Sequence, residues 1–82
     1  MYYVYVLQSI KDGKMYIGYT NNLKRRFIEH NQGLSLATKY KLPYTLVFYE
    51  AFTNTKDAKH RETYLKSGWG VRTIKKILKY SL

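Results

Sequence analysis

Asp12-Gly13 stands between two short runs rich in Tyr and Val, and that dipeptide in that place commits the start of the chain to an antiparallel hairpin. Residues 2–9 alternate as a half-buried strand does, and residues 14–19 read as the returning strand. With Asp12 and Gly13 as the two loop residues, both at positive φ, Lys11 faces Lys14, Leu7 faces Gly18 and Tyr5 faces Thr20. Opposed residues share a face, so Tyr5, Tyr16 and Gly18 lie on one side of the ribbon. Val4, Val6, Met15 and Ile17 lie on the other, which is the expected core face. This register separates Tyr5 from Tyr16 by roughly 13 Å at ~3.3 Å per residue. A longer, bulged loop would bring them closer.

Caps and periodicity predict the remaining elements. A first helix runs from about Asn22 to Gln32, with Thr20 and Asn21 as candidate caps, Gly33 as its stop, and Leu23 and Phe27 on its core side. Residues 33–43 form a loop closed by Pro43. Residues 44–52 form a third strand, with Leu46, Phe48 and Phe52 on one face and Val47 and Tyr49 on the other. Asn54 and Asp57 resemble a capping arrangement for a second helix from about Lys56 to Lys66, which Gly68 ends. Residues 71–80 form a short third helix, apolar along Val71, Ile74, Ile77 and Leu78 and basic along Arg72, Lys75, Lys76 and Lys79. Trp69, between two glycines, is expected to plug the core at a tight turn. The order β-β-α-β-α-α describes one α+β domain over residues 1–82, a three-stranded antiparallel sheet flanked by helices.

Composition narrows the classes of function. The chain has no cysteine, which excludes disulfide staples, zinc knuckles and thiol catalysis, and two histidines alone argue against a structural zinc site. The N-terminus lacks the pattern of a signal peptide, and no apolar run approaches the length of a membrane span, so a cytoplasmic protein with no membrane partner is expected. Fifteen Lys and Arg against five Asp and Glu give a net charge of +10. Such an excess attracts polyanions, and nucleic acid is the expected partner. Ten tyrosines add planar faces and hydroxyls suited to bases and phosphates, although tyrosine also fills half-buried strand positions.

Phosphodiester hydrolysis needs an activated water, neutralised phosphorane charge and a stabilised leaving oxygen. Glu62 is the candidate metal ligand. Mg²⁺ is commonly held by one or two carboxylates, with water and phosphate oxygens completing the shell. Read from the helix alone, Glu62 is better explained as a surface residue paired with Lys59 or Lys66. Arg26 and His30, four apart, emerge on one helical face. The guanidinium suits a bidentate grip on phosphate, and the imidazole suits donation to a phosphate oxygen or proton shuttling. Tyr16 could orient or deprotonate the attacking water, provided cations lower a phenol pKa that is ordinarily ~10. Tyr5 could hydrogen-bond the phosphate or the nucleophile. Gly18 leaves room for a phosphate or a helix to approach. Gly18, Lys24, Arg25, Lys39, Lys41, Arg72, Lys75 and Lys76 are the further candidates for nucleic-acid contact.

Tyr3-Val4-Tyr5, Tyr16-Ile17-Gly18, Arg26 within Asn22-Leu23-Lys24-Arg25-Arg26, His30 and Glu62 follow one another in the order and spacing of the GIY-YIG nuclease superfamily, and the chain resembles that family over nearly its whole length. Tyr64 to Arg72 further resembles the small stand-alone, YhbQ-like (UPF0213-type) members. The resemblance implies hydrolysis of DNA with one Mg²⁺ or Mn²⁺ ion on Glu62. It implies Tyr16 as general base or relay, Tyr5 as its neighbour, and Arg26 and His30 as phosphate contacts. Two departures stand out: Tyr3 replaces the glycine of the first motif, and Lys75-Lys76-Ile77-Leu78 lacks an asparagine that many members carry there.

The resulting expectation is a metal-dependent endonuclease acting on DNA, with repair or recombination as the process. The alternative is a nucleic-acid-binding module that keeps the fold without catalysis. The larger relatives choose targets through attached DNA-binding domains, and a homodimer or a protein partner is the expected source of specificity here.

Overall fold

A computed structural model describes residues 1–82. Its elements are β1 (Tyr2–Ser9), β2 (Met15–Thr20), α1 (Leu23–Asn31), β3 (Tyr44–Phe52), α2 (Thr55–Lys66) and α3 (Gly68–Ile77). The three strands form one antiparallel sheet in the order β2-β1-β3, so the fold is the expected α+β arrangement.

The hairpin register differs from the expected one by two residues: Tyr5 faces Gly18 and Leu7 faces Tyr16. A two-residue turn needs positive φ at both central positions, and in this loop only Gly13 has it, at +74°. The chain instead makes a longer loop. Ser9 N–H donates to Lys14 O at 2.9 Å, Gly13 N–H donates to Ser9 O at 2.9 Å, and the Asp12 carboxylate accepts from Lys14 N–H at 3.0 Å. A shift of two keeps every side chain on its expected face but slides Tyr16 toward Tyr5.

Both faces of β1 are covered. On one, Val4 and Val6 pack with Ala58 and Leu65 of α2 and Ile74 and Leu78 of α3, joined by Met15 and Ile17 as expected. On the other, Tyr5, Leu7 and Tyr44 pack with Leu23 and Phe27 of α1. β3 does not keep the expected alternation. Val6 pairs with Phe48 and Leu7 with Leu46, so Val47 is an extra residue that switches the phase. Leu46 therefore joins the Tyr5 side, while Val47, Phe48 and Phe52 join the Val4 side.

The α1 cap is Asn22, not Thr20 or Asn21. Its side chain accepts from Arg25 N–H at 3.1 Å, and the Thr20 hydroxyl accepts from Asn22 N–H at 3.1 Å, fixing the approach. Gly33, at φ +76°, ends the helix as expected. Asn31 then clamps the start of β3: its amide donates to Tyr44 O at 3.0 Å and accepts from Tyr44 N–H at 2.8 Å. Asn54 caps α2 through Lys56 N–H at 2.8 Å.

α3 starts three residues earlier than periodicity predicts, because Ser67 both ends α2 and caps α3 through Gly70 N–H. Gly70 is buried in the first turn, where a Cβ would collide with the backbone of Leu65. That close crossing turns Trp69 outward, so it is 67% exposed and not the expected core plug. No helix is long and apolar enough to cross a membrane.

Candidate active site

Three rings meet on the α1 face of the hairpin. The centroids of Tyr5 and Tyr16 are 6.4 Å apart, those of Tyr5 and His30 5.8 Å, and those of Tyr16 and His30 5.1 Å, the last two pairs edge to face. Gly18 makes the arrangement possible. The Tyr5 ring leans across onto the opposite strand, and a Cβ at Gly18 would collide with its Cζ and Oη. The open space expected over Gly18 is thus filled by a tyrosine of the same sheet.

His30 is fully buried, and both its ring nitrogens are engaged: Nε2 lies 2.9 Å from Tyr5 Oη and Nδ1 lies 2.8 Å from Thr38 Oγ1. Burial first, and then the charge of Arg26, lower the His30 pKa below its ordinary 6.5, with Glu29 opposing, so the ring is neutral at neutral pH. In a neutral imidazole one nitrogen donates and the other accepts, so the two hydroxyls are coupled. If Tyr5 donates to Nε2, Nδ1–H donates to Thr38. If Thr38 donates to Nδ1, Nε2–H donates to Tyr5 and the Tyr5 proton is free for another acceptor. Thr38, also fully buried, escaped sequence reasoning because it lies in the irregular segment between α1 and β3, where no periodicity marks a side chain as inward.

Burial raises the Tyr5 pKa to about 12; the Arg26 guanidinium beside it works the other way, and the negative charges of Tyr16 and Glu62 add to the rise. Tyr5 is therefore a hydroxyl donor at neutral pH, not a base. For Arg26, burial alone would lower the pKa, but the Tyr5 hydroxyl beside it, the charge of Tyr5, the hydrogen bond to Glu29 and the charge of Tyr16 outweigh burial and raise it. Arg26 is partly exposed and only loosely held by Glu29, at 3.4 Å. Glu62 is a half-buried residue of α2. Thr55 and Lys59 of the same helix reach Tyr19 through a 2.7 Å hydroxyl contact and a cation–π contact at 5.6 Å. Lys66 Nζ pairs with Glu62 Oε2 at 3.0 Å. Tyr5, Tyr16, Arg26 and His30 are thus brought together, with Glu62 close enough to act on Tyr5 through its charge.

The other basic candidates are dispersed. Lys24 and Arg25 are exposed on α1, where Lys24 borders a groove with Tyr3, Phe27 and Tyr49. Lys41 pairs with Asp12 at 3.3 Å, and Lys39 lies 4.8 Å over the ring of Tyr40. Arg72, Lys75 and Lys76 are exposed on α3, which packs on the opposite face of the sheet from α1.

No group of three or more His, Cys, Asp or Glu side chains converges anywhere in the chain. A protein-only metal cage is therefore absent. A lone carboxylate suits a hard cation whose remaining ligands are water and substrate phosphate, and Glu62 fits that description once Lys66 gives way.

Residues 1–70 match the profile of the GIY-YIG catalytic domain. The chain belongs to the GIY-YIG family. It is 43% identical over 67 residues to a UPF0213 protein of Clostridium perfringens, covering 80% of this chain and 71% of that one. A UPF0213 protein of Bacillus licheniformis is 41% identical over 66 residues, covering 79% and 67%. The solution NMR structure of a UPF0213 protein from Bacillus halodurans superposes with a TM-score of 0.58 at 32% identity, over 94% of this chain and 85% of that one. GIY-YIG proteins form a superfamily of nucleases that typically use a divalent metal, and the UPF0213 relatives place this chain among that type, as the stretch from Tyr64 to Arg72 suggested.

Proposed function

We propose that the protein is a metal-dependent endonuclease that hydrolyses phosphodiester bonds in DNA, within repair or recombination in the cytoplasm. The observation that carries this reading is the contact of Tyr5, Tyr16 and His30 on one face of the hairpin, with the Arg26 cation beside it and the Glu62 charge within reach. Arg26 binds and polarises the scissile phosphate. Tyr16 orients or deprotonates the attacking water, a role supported by its being the less buried of the two tyrosines. Tyr5 donates to the phosphate, and His30 acts through it as a positioning residue. Glu62 would hold one Mg²⁺ or Mn²⁺, which when bound supplies Lewis-acid neutralisation of the phosphorane charge. Lys24, Arg25, Lys39 and Lys41 are proposed to contact the nucleic-acid backbone on the α1 side, and Arg72, Lys75 and Lys76 on the α3 side. Gly18 contributes by seating Tyr5 under that backbone. Target choice falls to a second copy of the chain or to a protein partner.

The Glu62–Lys66 pair favours a second reading, a DNA-binding module whose carboxylate is already neutralised. Cleavage of supercoiled, linear and branched DNA with Mg²⁺ or Mn²⁺, beside Glu62→Ala and Tyr16→Phe, separates the two. Metal-dependent nicking lost in both variants supports the nuclease. Salt-sensitive binding without nicking, unchanged by Glu62→Ala, supports the module.

A further inference from the structure

Trp69 is the only tryptophan in the chain, and it is 67% exposed on the outer side of α3. The Arg72 guanidinium stacks over it at 5.2 Å, and Gly68, Trp69 and Arg72 line a shallow hollow of about 300 Å³. Trp69, Arg72 and Lys76 recur at i, i+3 and i+7, a solvent-facing stripe opposite the buried Gly70, Ile74 and Leu78. Tyr64, 38% exposed, flanks it from α2: its hydroxyl lies 2.7 Å from that of Thr73, which in turn donates to Trp69 O at 3.1 Å. Arg61 stacks over the Tyr64 ring at 5.5 Å. Beyond Glu62 the chain carries five Lys and Arg and no acid, and Glu62 and Glu50 are themselves paired with Lys66 and Arg61.

We infer that the Trp69–Arg72–Lys76 stripe is a second nucleic-acid site, one that takes single-stranded DNA by stacking an unpaired base on Trp69 while Arg72 and Lys76 hold the adjoining phosphates. An aromatic face accepts any base, and alternation with cations matches the alternation of base and phosphate along a strand. From Trp69 to Lys76 the helix rises ~10 Å, about three nucleotide steps at ~3.4 Å each. A polyanion carrying flat apolar groups complements this surface better than a purely apolar or purely anionic partner does. The site lies across the sheet from the tyrosine cluster. It therefore extends the proposed function by making strands with unpaired bases the substrate class, and it rests on that function only for its biological purpose.

Trp69 is its own reporter. An unlabelled oligothymidylate titrated into the intact protein without divalent metal is expected to quench Trp69 fluorescence saturably and reversibly with salt. Inorganic polyphosphate is expected to compete without quenching. By anisotropy of a labelled oligothymidylate, Trp69→Ala and Trp69→Leu weaken binding at least about fivefold, while Trp69→Phe stays within about threefold of wild type. Glu62→Ala leaves the quench intact, so failure of the nuclease reading and failure of this site are told apart. Binding without quenching, or unchanged affinity in Trp69→Ala, overturns the inference. So does a fluorescence response to anionic lipid vesicles but not to the oligonucleotide, or a concentration-dependent dimer that shields Trp69.

Discussion

The Tyr5 hydroxyl lies 2.9 Å from Nε2 of His30, and the far nitrogen of that ring lies 2.8 Å from Thr38 Oγ1, so strand, helix and loop meet in one buried row of polar atoms. Removing either end strands a ring nitrogen inside the protein. Tyr5→Phe and Thr38→Val are each expected to cost about 1–3 kcal/mol, read as a lower urea midpoint. Thr38→Ser should recover most of the Thr38→Val loss. The double variant should fall short of the sum, because both substitutions act on one imidazole.

The same ring sets a pH dependence. His30 is neutral when folded because its pKa is lowered, whereas in the unfolded chain it takes a proton near ~6.5. Below that value the unfolded state binds more protons than the folded one, so stability is complete above about pH 6.5 and falls as pH drops from there toward the folded pKa. Urea midpoints between pH 8 and pH 5, with an NMR titration of the His30 ring, test this. A ring midpoint at or above 6.5 contradicts it.

Gly18→Ala adds one methyl where the Tyr5 ring lies. The ring must swing away, which breaks its contact with His30. A loss of about 1–3 kcal/mol is expected, with loss of cleavage even though no polar group has been removed. Normal activity in a variant shown by NMR to keep the Tyr5 ring in place would contradict this account.

Glu62 and Lys66 are partly exposed, so their pair contributes about 0–1 kcal/mol. Lys66→Ala should hardly change the melting temperature and should strengthen Mn²⁺ binding severalfold, because it frees the carboxylate. Glu62→Gln should abolish both Mn²⁺ binding and cleavage. Calorimetric titration with the metal alone distinguishes these outcomes.

Much of the fold was legible because it depends on local signals: the Tyr/Val strands, Gly33 after α1, Asn54 before α2. The errors arose where tertiary contacts decide. Asp12 sits in a wider loop than the tight turn and is paired with Lys41 from another part of the chain, and Val47 slips the phase of β3 to serve both cores. Gly70 reads as punctuation in a sequence, yet in space it is the contact that lets α3 cross Leu65 and pushes Trp69 outward. In the site, spacing paired Arg26 with His30 and put Tyr5 and Tyr16 on one face, while the family resemblance alone joined the two pairs. Thr38 could not, since only the closed loop shows which hydroxyl faces the imidazole.

β1 is the middle strand, covered on both faces, and it carries Tyr5. Its amides should exchange with solvent only when the whole molecule opens, whereas those of the irregular segment bearing Thr38 are expected to exchange sooner. The site is anchored at one end to the middle strand and closed at the other by the segment between α1 and β3. Protection against deuterium at Tyr5, set beside that at Thr38, would report how often the row of polar atoms comes apart while the fold stays intact.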